Sequence, residues 1–312
     1  MSVSPHSHKS QASVHTSNTQ VRLGLEGMEE YYSSFKEKRV IHAEAQFDVS
    51  SFKIACSDIY YQIGTCNWGP FTILVDQYFP ELVWEFYASY RARQQLLKHK
   101  GRTEAFVCLT SVWVRGKKVS VTPEAINSLY WGEPIPSHPI FRNKVENKAY
   151  QFQWVANLIA NGRPQWAISK GLIHWHDLKF EACIWLDLVC ARLIPSRNTL
   201  KVLIEVAILL TCIMDHVHIN VGEIIANQLK RRAKQQATTL PFPNPVSMLC
   251  MRVVCPLFRP LDRTVQTNNM ITLATKTEKR GSSYEAGKVY REQDPGTTFG
   301  IHSHISCPAP YR

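Results

Sequence analysis

Long apolar runs are missing from this chain. Its most apolar stretch, VLIEVAILLTCIM from Val202 to Met214, is interrupted by Glu205. It is also shorter than the roughly 20 residues a membrane span needs, so it reads as a buried core helix. No apolar segment of the secretory kind opens the sequence, and the expected setting is intracellular, in nucleus or cytoplasm, not secreted and not membrane-spanning. The nine cysteines are odd in number and scattered, which argues against a disulfide framework and for reduced, mostly buried thiols.

Clusters that could carry chemistry are scarce too. Strand-transfer chemistry on two divalent metals needs carboxylates gathered around ions about 4 Å apart. The core aspartates, Asp48, Asp58, Asp76, Asp177, Asp187, Asp215 and Asp262, stand in no block of alternating strands that would gather them. Cys250 and Cys255 have four residues between them but no second ligand pair nearby. His174 with His176, and His216 with His218, are isolated pairs, whereas a structural zinc site takes four ligands. The chain is therefore read as non-enzymatic. No catalytic residue, metal, cofactor or small-molecule substrate is identified.

Positive charge is what the sequence has in excess. Lys and Arg number 36 against 25 Asp and Glu, a formal net charge of +11, which favours phosphate-rich partners such as RNA or DNA. Arg91, Arg93, Lys98, Lys100 and Arg102 fall within twelve residues that hold no carboxylate, beside Tyr87 and Tyr90. Lys230, Arg231, Arg232 and Lys234 form a second run at the end of a predicted helix. A plain structural alternative stands beside each run, because cations at a helix C-terminus stabilise its dipole without any ligand.

Helical periodicity dominates the middle of the chain. In SFKIACSDIYYQIG the apolar positions Phe52, Ala55, Cys56, Ile59, Tyr60 and Ile63 share one helix face, with Gly64 as a stop. Pro80 opens a second helix whose stripe is Val83, Phe86, Tyr87 and Tyr90. Further helices are predicted up to Asn161-Gly162, from an Asp177 cap to Pro195, over about 199–214, over NVGEIIANQLKRRAKQQ, and after Pro241, Pro243 and Pro245. One stretch differs. VWVRGKKVSVTPEAINSLY, Val112 to Tyr130, reads as two short strands around a turn that presents Arg115, Lys117 and Lys118. Thr122 then caps a helix with Pro123 at its first position. The fold class expected is mainly α, a compact multi-helix domain with a small β-hairpin near 111–121. Residues 1–30 and 264–312 lack the apolar content to offset ordering entropy and are expected as tails, disordered or weakly ordered, around a domain at 35–263.

The order of these segments resembles a known family, the domain named putative plant transposon protein, found in retroelement-related open reading frames of plants. The residues that carry the likeness are KRVIHAEAQFD (38–48), PELVWEFYASY (80–90), VWVRGKKVSVTPEAINSLY (112–130), WAISKG (166–171), RLIPSRNTLKVLIEVAILL (192–210), INVGEIIANQLKRRA (219–233) and LPFPNPVSMLC (240–250). No single motif is diagnostic; the ordered set is. The resemblance implies a retroelement origin and no accepted reaction. Two roles follow as expectations: a non-enzymatic domain that associates with nucleic acid, or one that self-assembles as a capsid-like homo-oligomer. The alternatives are an accessory or degenerate part of a transposition enzyme, and a relic with no selected function.

Overall fold

Pro80 to His99 form the helix around which the rest is arranged. The computed structural model describes residues 27–54, 56–73, 77–99, 109–132, 144, 147, 152–162, 172–196, 200–235, 239–257, 262–267 and 270–272. Ten α-helices and eight strands occur among the described residues. They run α1 (Met28–Lys38), β1 (Gln46–Phe47), α2 (Ser57–Thr65), α3 (Gly69–Thr72), β2 (Gln77–Tyr78), α4 (Pro80–His99), β3 (Ser111–Val114), β4 (Lys117–Ser120) and α5 (Pro123–Trp131). There follow α6 (Phe152–Ile159), β5 (Leu172–His174), α7 (Phe180–Arg192), β6 (Lys201–Leu203), α8 (Ile204–Met214), α9 (Val221–Lys234), α10 (Pro243–Arg252), β7 (Val265–Gln266) and β8 (Met270–Ile271).

Helix α4 packs against α1, β3, α9 and α10. It is buried on nearly every side, with Leu82, Val83, Glu85, Phe86, Tyr87, Ser89 and Tyr90 inside. A helix surrounded by partners buries more than one stripe, and its polar residues must then find partners of their own. The predicted stripe is thus present, as part of a wider buried surface. Helices α6, α7 and α8 make a second packed group, with α8 against both others. Helix α8 takes up the apolar run from Ile204 to Met214, and no described helix is long and apolar enough to cross a membrane.

Every sheet among the described residues has two strands: β1–β8, β2–β7, β3–β4 and β5–β6. The expected hairpin is present at 111–120, with Val112 opposite Val119 and Val114 opposite Lys117, and with Lys117 and Lys118 in β4 rather than in the turn. Arg115 and Gly116 form its turn with φ of 50° and 74°. Positive φ at both central residues is the requirement of a type I′ turn, which matches the strand twist. Next, Thr122 Oγ1 accepts the N–H of Ala125 at 3.2 Å, and Pro123 opens α5. The following contact is tight. Gly222 N–H donates to Asn127 Oδ1 at 2.7 Å, and Asn127 Nδ2 donates to Asn220 Oδ1 at 2.9 Å. Asn220 Oδ1 also accepts the Glu223 N–H, capping α9.

Several expectations are corrected. Phe52 lies in a separate 3-10 turn, Val49–Phe52, capped by Asp48, and α2 begins only at Ser57; Gly64 sits within the last turn of that helix. Asp177 does not cap α7, which starts after Lys179 with no side-chain cap; it ends a 3-10 turn instead. Residues 201–203 are a strand paired with β5, so the apolar helix starts at Ile204. Pro243 and Pro245 do not precede α10 but occupy its first turn, where a missing N–H costs nothing. The expected tail from 264 is ordered at its start, where Val265–Gln266 pair with β2 and Met270–Ile271 with β1. Two-residue strands are too short to leave a period in the sequence; they form because the edges of β1 and β2 need partners. Of the expected tail at 1–30, residues 28–30 open α1, and residues 1–26 and 273–312 lie outside the described residues, which all belong to one unit ending at Leu273.

Candidate nucleic-acid interface

The first basic run lies on α4. Arg91 is half-buried and Arg93 exposed. The two are separated by two positions, so they leave the helix in different directions. Lys98 falls in the last turn, while Lys100 and Arg102 lie outside the described residues. The run therefore does not present one described cationic face.

The second run closes α9, and much of it is tied down. Arg231 Nη1 donates to both carboxylate oxygens of Glu205, at 2.9 and 2.8 Å. Arg232, half-buried, donates through Nη2 to the Pro195 carbonyl. Arg39, absent from the sequence-level set, joins this end of the helix. Its Nη2 donates to the Arg232 carbonyl at 2.8 Å, and its guanidinium stacks over the Phe35 ring at 4.5 Å. Burial pulls the Arg39 pKa down to about 10; the nearby Tyr87 opposes the shift and Arg232 adds to it. These are the contacts of cations completing a helix C-terminus. Lys230 and Lys234 are half-buried beside them.

The hairpin turn divides its three cations. Arg115 is not presented at the tip, and this corrects the sequence reading. Its side chain is fully buried, as are those of Glu85 and Asp262. Nε and Nη2 donate to Glu85 at 2.8 and 2.9 Å, Nη1 and Nη2 donate to Asp262 at 2.6 Å each, and Nη1 also reaches the Pro256 carbonyl at 2.6 Å. The five N–H donors of the guanidinium each have an acceptor. Burial disfavours its charge, but the bonded carboxylates of Glu85 and Asp262 outweigh burial and raise its pKa. Positive φ at Arg115 turns the side chain inward while the strands continue outward.

Lys117 and Lys118 remain exposed. Directly across from Lys118 stands Trp113, whose side is the solvent face of β3 because Val112 and Val114 are buried. Trp113 is 43% exposed, unusual for the largest side chain. The outer face of the hairpin therefore joins one open aromatic ring to the ammonium group of Lys118, while Lys117, opposite buried Val114, leaves the strand on the other side. Sequence reasoning passed over Trp113 because it counted the residue as part of a valine strand. The V-W-V alternation held the signal, since alternate strand residues face opposite ways.

The other groups considered from sequence have local roles. Asp48 Oδ1 accepts from Ser50 and Ser51, and Asp215 Oδ2 accepts from Trp154 Nε1 at 3.3 Å. His174 and His176 stack with ring centroids 5.2 Å apart, and His176 lies 3.4 Å from Asp177. Among the described residues no three His, Cys, Asp or Glu side chains lie close enough to hold a metal ion. The Cys255 thiol donates to the Val114 carbonyl at 3.6 Å. The seven described cysteines are free thiols, all buried except half-buried Cys66.

Compared with known proteins, residues 65–256 match a family model described as putative plant retrotransposon-related domain. That span runs from the last residue of α2 to just beyond α10 and includes the hairpin. No curated protein and no solved structure matches the chain.

Proposed function

The chain belongs to the putative plant retrotransposon-related domain family, and from that premise we propose that this retroelement-derived protein associates with single-stranded nucleic acid, without catalysing a reaction on it, through the outer face of its hairpin. The observation that carries this reading is the pairing of exposed Trp113 with Lys118 across the strands, on the face turned away from buried Val112, Val114 and Val119. Single-strand binders combine cations that follow the phosphates with aromatic rings on which bases stack. Base stacking on an aromatic side chain contributes about 1–3 kcal/mol and tolerates any sequence. Bases in a duplex are already stacked, so the hairpin should prefer single strands.

A titration with labelled single-stranded RNA, single-stranded DNA and duplex DNA tests it. Tryptophan fluorescence should be quenched on binding, and Trp113→Ala should weaken single-strand affinity by about 5- to 100-fold. Unchanged affinity in Trp113→Ala, or a preference for duplex, would sink the proposal.

Self-assembly is the second reading, favoured by β6. Among the described strands it pairs only with β5, and Leu200 and Leu203 around it are 65% and 55% exposed. A strand edge flanked by exposed leucines is a template for another chain. Light scattering that gives a monomer mass at high concentration would remove this reading.

A further inference from the structure

We propose that Cys250 and Cys255 are an oxidation site, two thiols that a hydroperoxide converts to a reversible disulfide, with Cys255 attacking first. The end of α10 sets the pair. The Cys255 N–H donates to the Cys250 carbonyl at 3.1 Å, and the Val254 N–H donates to the Met251 carbonyl at 3.0 Å. These two bonds define a Schellman motif, which folds the chain back so that the second residue past the cap meets the last turn of the helix. That meeting usually joins apolar side chains. Here it joins two sulfurs, and the Cys250 thiol donates to the sulfur of Cys255. A disulfide needs Cβ atoms about 3.8 Å apart, and thiols already in contact reach this with little backbone movement.

The two sulfurs are not equivalent. Cys250 is fully buried within α10, whereas Cys255 lies beyond the helix end and keeps 3% of its surface. The hydrogen bond from Cys250, helped by the nearby Arg115 guanidinium, outweighs burial and lowers the Cys255 pKa. The same bond, together with burial, holds the Cys250 thiol well above its ordinary value. A lowered pKa raises the share of thiolate, the form that attacks. Access comes through the turn between them. Val254 has φ of 54° and is 73% exposed. A β-branched residue is strained in this left-handed region, where such caps usually place glycine. Helix ends are also among the first parts of a fold to open. Opening this one turn uncovers Cys255, and a hydroperoxide is small enough to enter.

The reaction runs in two displacements. The Cys255 thiolate attacks one peroxide oxygen, the O–O bond breaks, and the departing oxygen leaves as water or alcohol after taking up a proton; Cys255 is then a sulfenic acid. The Cys250 sulfur next attacks the Cys255 sulfur. The S–S bond forms, the S–O bond breaks, and hydroxide leaves as water with the Cys250 proton. Two thiols have lost two electrons and two protons, and the peroxide has been reduced. The Cys255 thiol also donates to the Val114 carbonyl at 3.6 Å. A disulfide has no S–H, so oxidation removes this tie between the end of α10 and the hairpin.

The test uses the full, reduced chain and hydrogen peroxide. Trypsin cuts after Arg252, between the two cysteines, so the disulfide appears in mass spectrometry as a cross-link between two peptides once the remaining thiols are alkylated. Native chain should give this cross-link, and dithiothreitol should reverse it. In Cys250→Ser, which lacks the second thiol, dimedone should trap a sulfenic acid on Cys255. In Cys255→Ser, Cys250 should take up no dimedone. Because a serine in the core can unfold the chain, Val254→Gly serves as a further variant. It keeps both thiols, relieves the strained turn and favours its closed form, so the cross-link should form about fivefold or more slowly. A cross-link that forms only in urea, dimedone on Cys250 in place of Cys255, or an unslowed Val254→Gly chain would each overturn the assignment.

Discussion

Arg115 and Glu85 meet inside the core, with Nε and Nη2 of the arginine donating to the two oxygens of the glutamate at 2.8 and 2.9 Å. The contact joins the hairpin turn to the second turn of α4, and Asp262 completes it from beyond α10. Removing one partner of a buried pair leaves an uncompensated charge, which costs about 3–5 kcal/mol. Arg115→Met should therefore lower the stability by about that amount in urea unfolding. Arg115→Met with Glu85→Leu should recover part of the loss, because the orphaned carboxylate is gone. A single variant as stable as the parent would contradict the burial of this pair.

The same residue shows where sequence reading stops. The hairpin, its turn and the Thr122 cap were legible because each depends on neighbours within a few positions: alternating valines, a glycine where φ is positive, a hydroxyl three residues before the N–H it accepts. Helix α4 was legible through its 3.6-residue period. The destination of Arg115 was not, since its partners lie 30 and 147 residues away and nothing local tells a buried guanidinium from a solvated one. The buried pair of Arg192 and Glu44 failed to appear for the same reason. Its members come from the segment before β1 and from the end of α7, and a lone arginine ending a helix reads as a partner of the dipole. The strands of β7 and β8 are too short to carry a pattern at all.

Gly222 should tolerate no side chain. A Cβ there would stand 2.2 Å from the Pro123 carbonyl oxygen and 2.6 Å from Asn127 Oδ1. The nearer atom is backbone, at the start of α5, and cannot rotate away. Gly222→Ala should separate α5 from α9 and lose at least the roughly 1–3 kcal/mol typical of overpacking. The expected reading is a lower urea midpoint with an unchanged m-value. Asn127→Ala, which leaves the buried Gly222 N–H without its acceptor, should cost about 1–3 kcal/mol by a different route. A Gly222→Ala chain with the parental midpoint would show that α9 is not packed this closely.

Glu44 should make stability depend on pH near neutrality. Burial pushes its carboxyl up to about 7, against smaller opposing effects of Arg192 and the Asn244 backbone N–H. The other titratable groups whose charges couple to it are Tyr130 and Tyr87. With a folded pKa above the ordinary 4.5, the folded chain holds this proton more tightly than the unfolded chain. Its stabilising contribution is complete below about pH 4.5 and is lost as pH rises through about 7. The loss is on the order of 3 kcal/mol. Glu44→Gln, neutral at every pH, should flatten the stability profile between these limits, measured by unfolding at a series of pH values. A parallel profile in the variant would assign the slope to other groups.

The last expectation separates free cations from those already engaged. Each phosphate neutralised on a single strand adds about 0.7 to the slope of log affinity against log salt. Lys117 and Lys118 are exposed on the hairpin, so replacing both by serine should reduce that slope by about 1.4 and weaken RNA binding most at low salt. Arg231 is held on Glu205 by two contacts, and Arg231→Ser should change the slope far less. Trp113→Ala should lower affinity while leaving the slope intact, because stacking releases no counterions. Fluorescence titrations over a salt series read all three variants. A slope unmoved by loss of both lysines would make the outer face of the hairpin a solvated corner of the fold, whatever the rest of the chain binds.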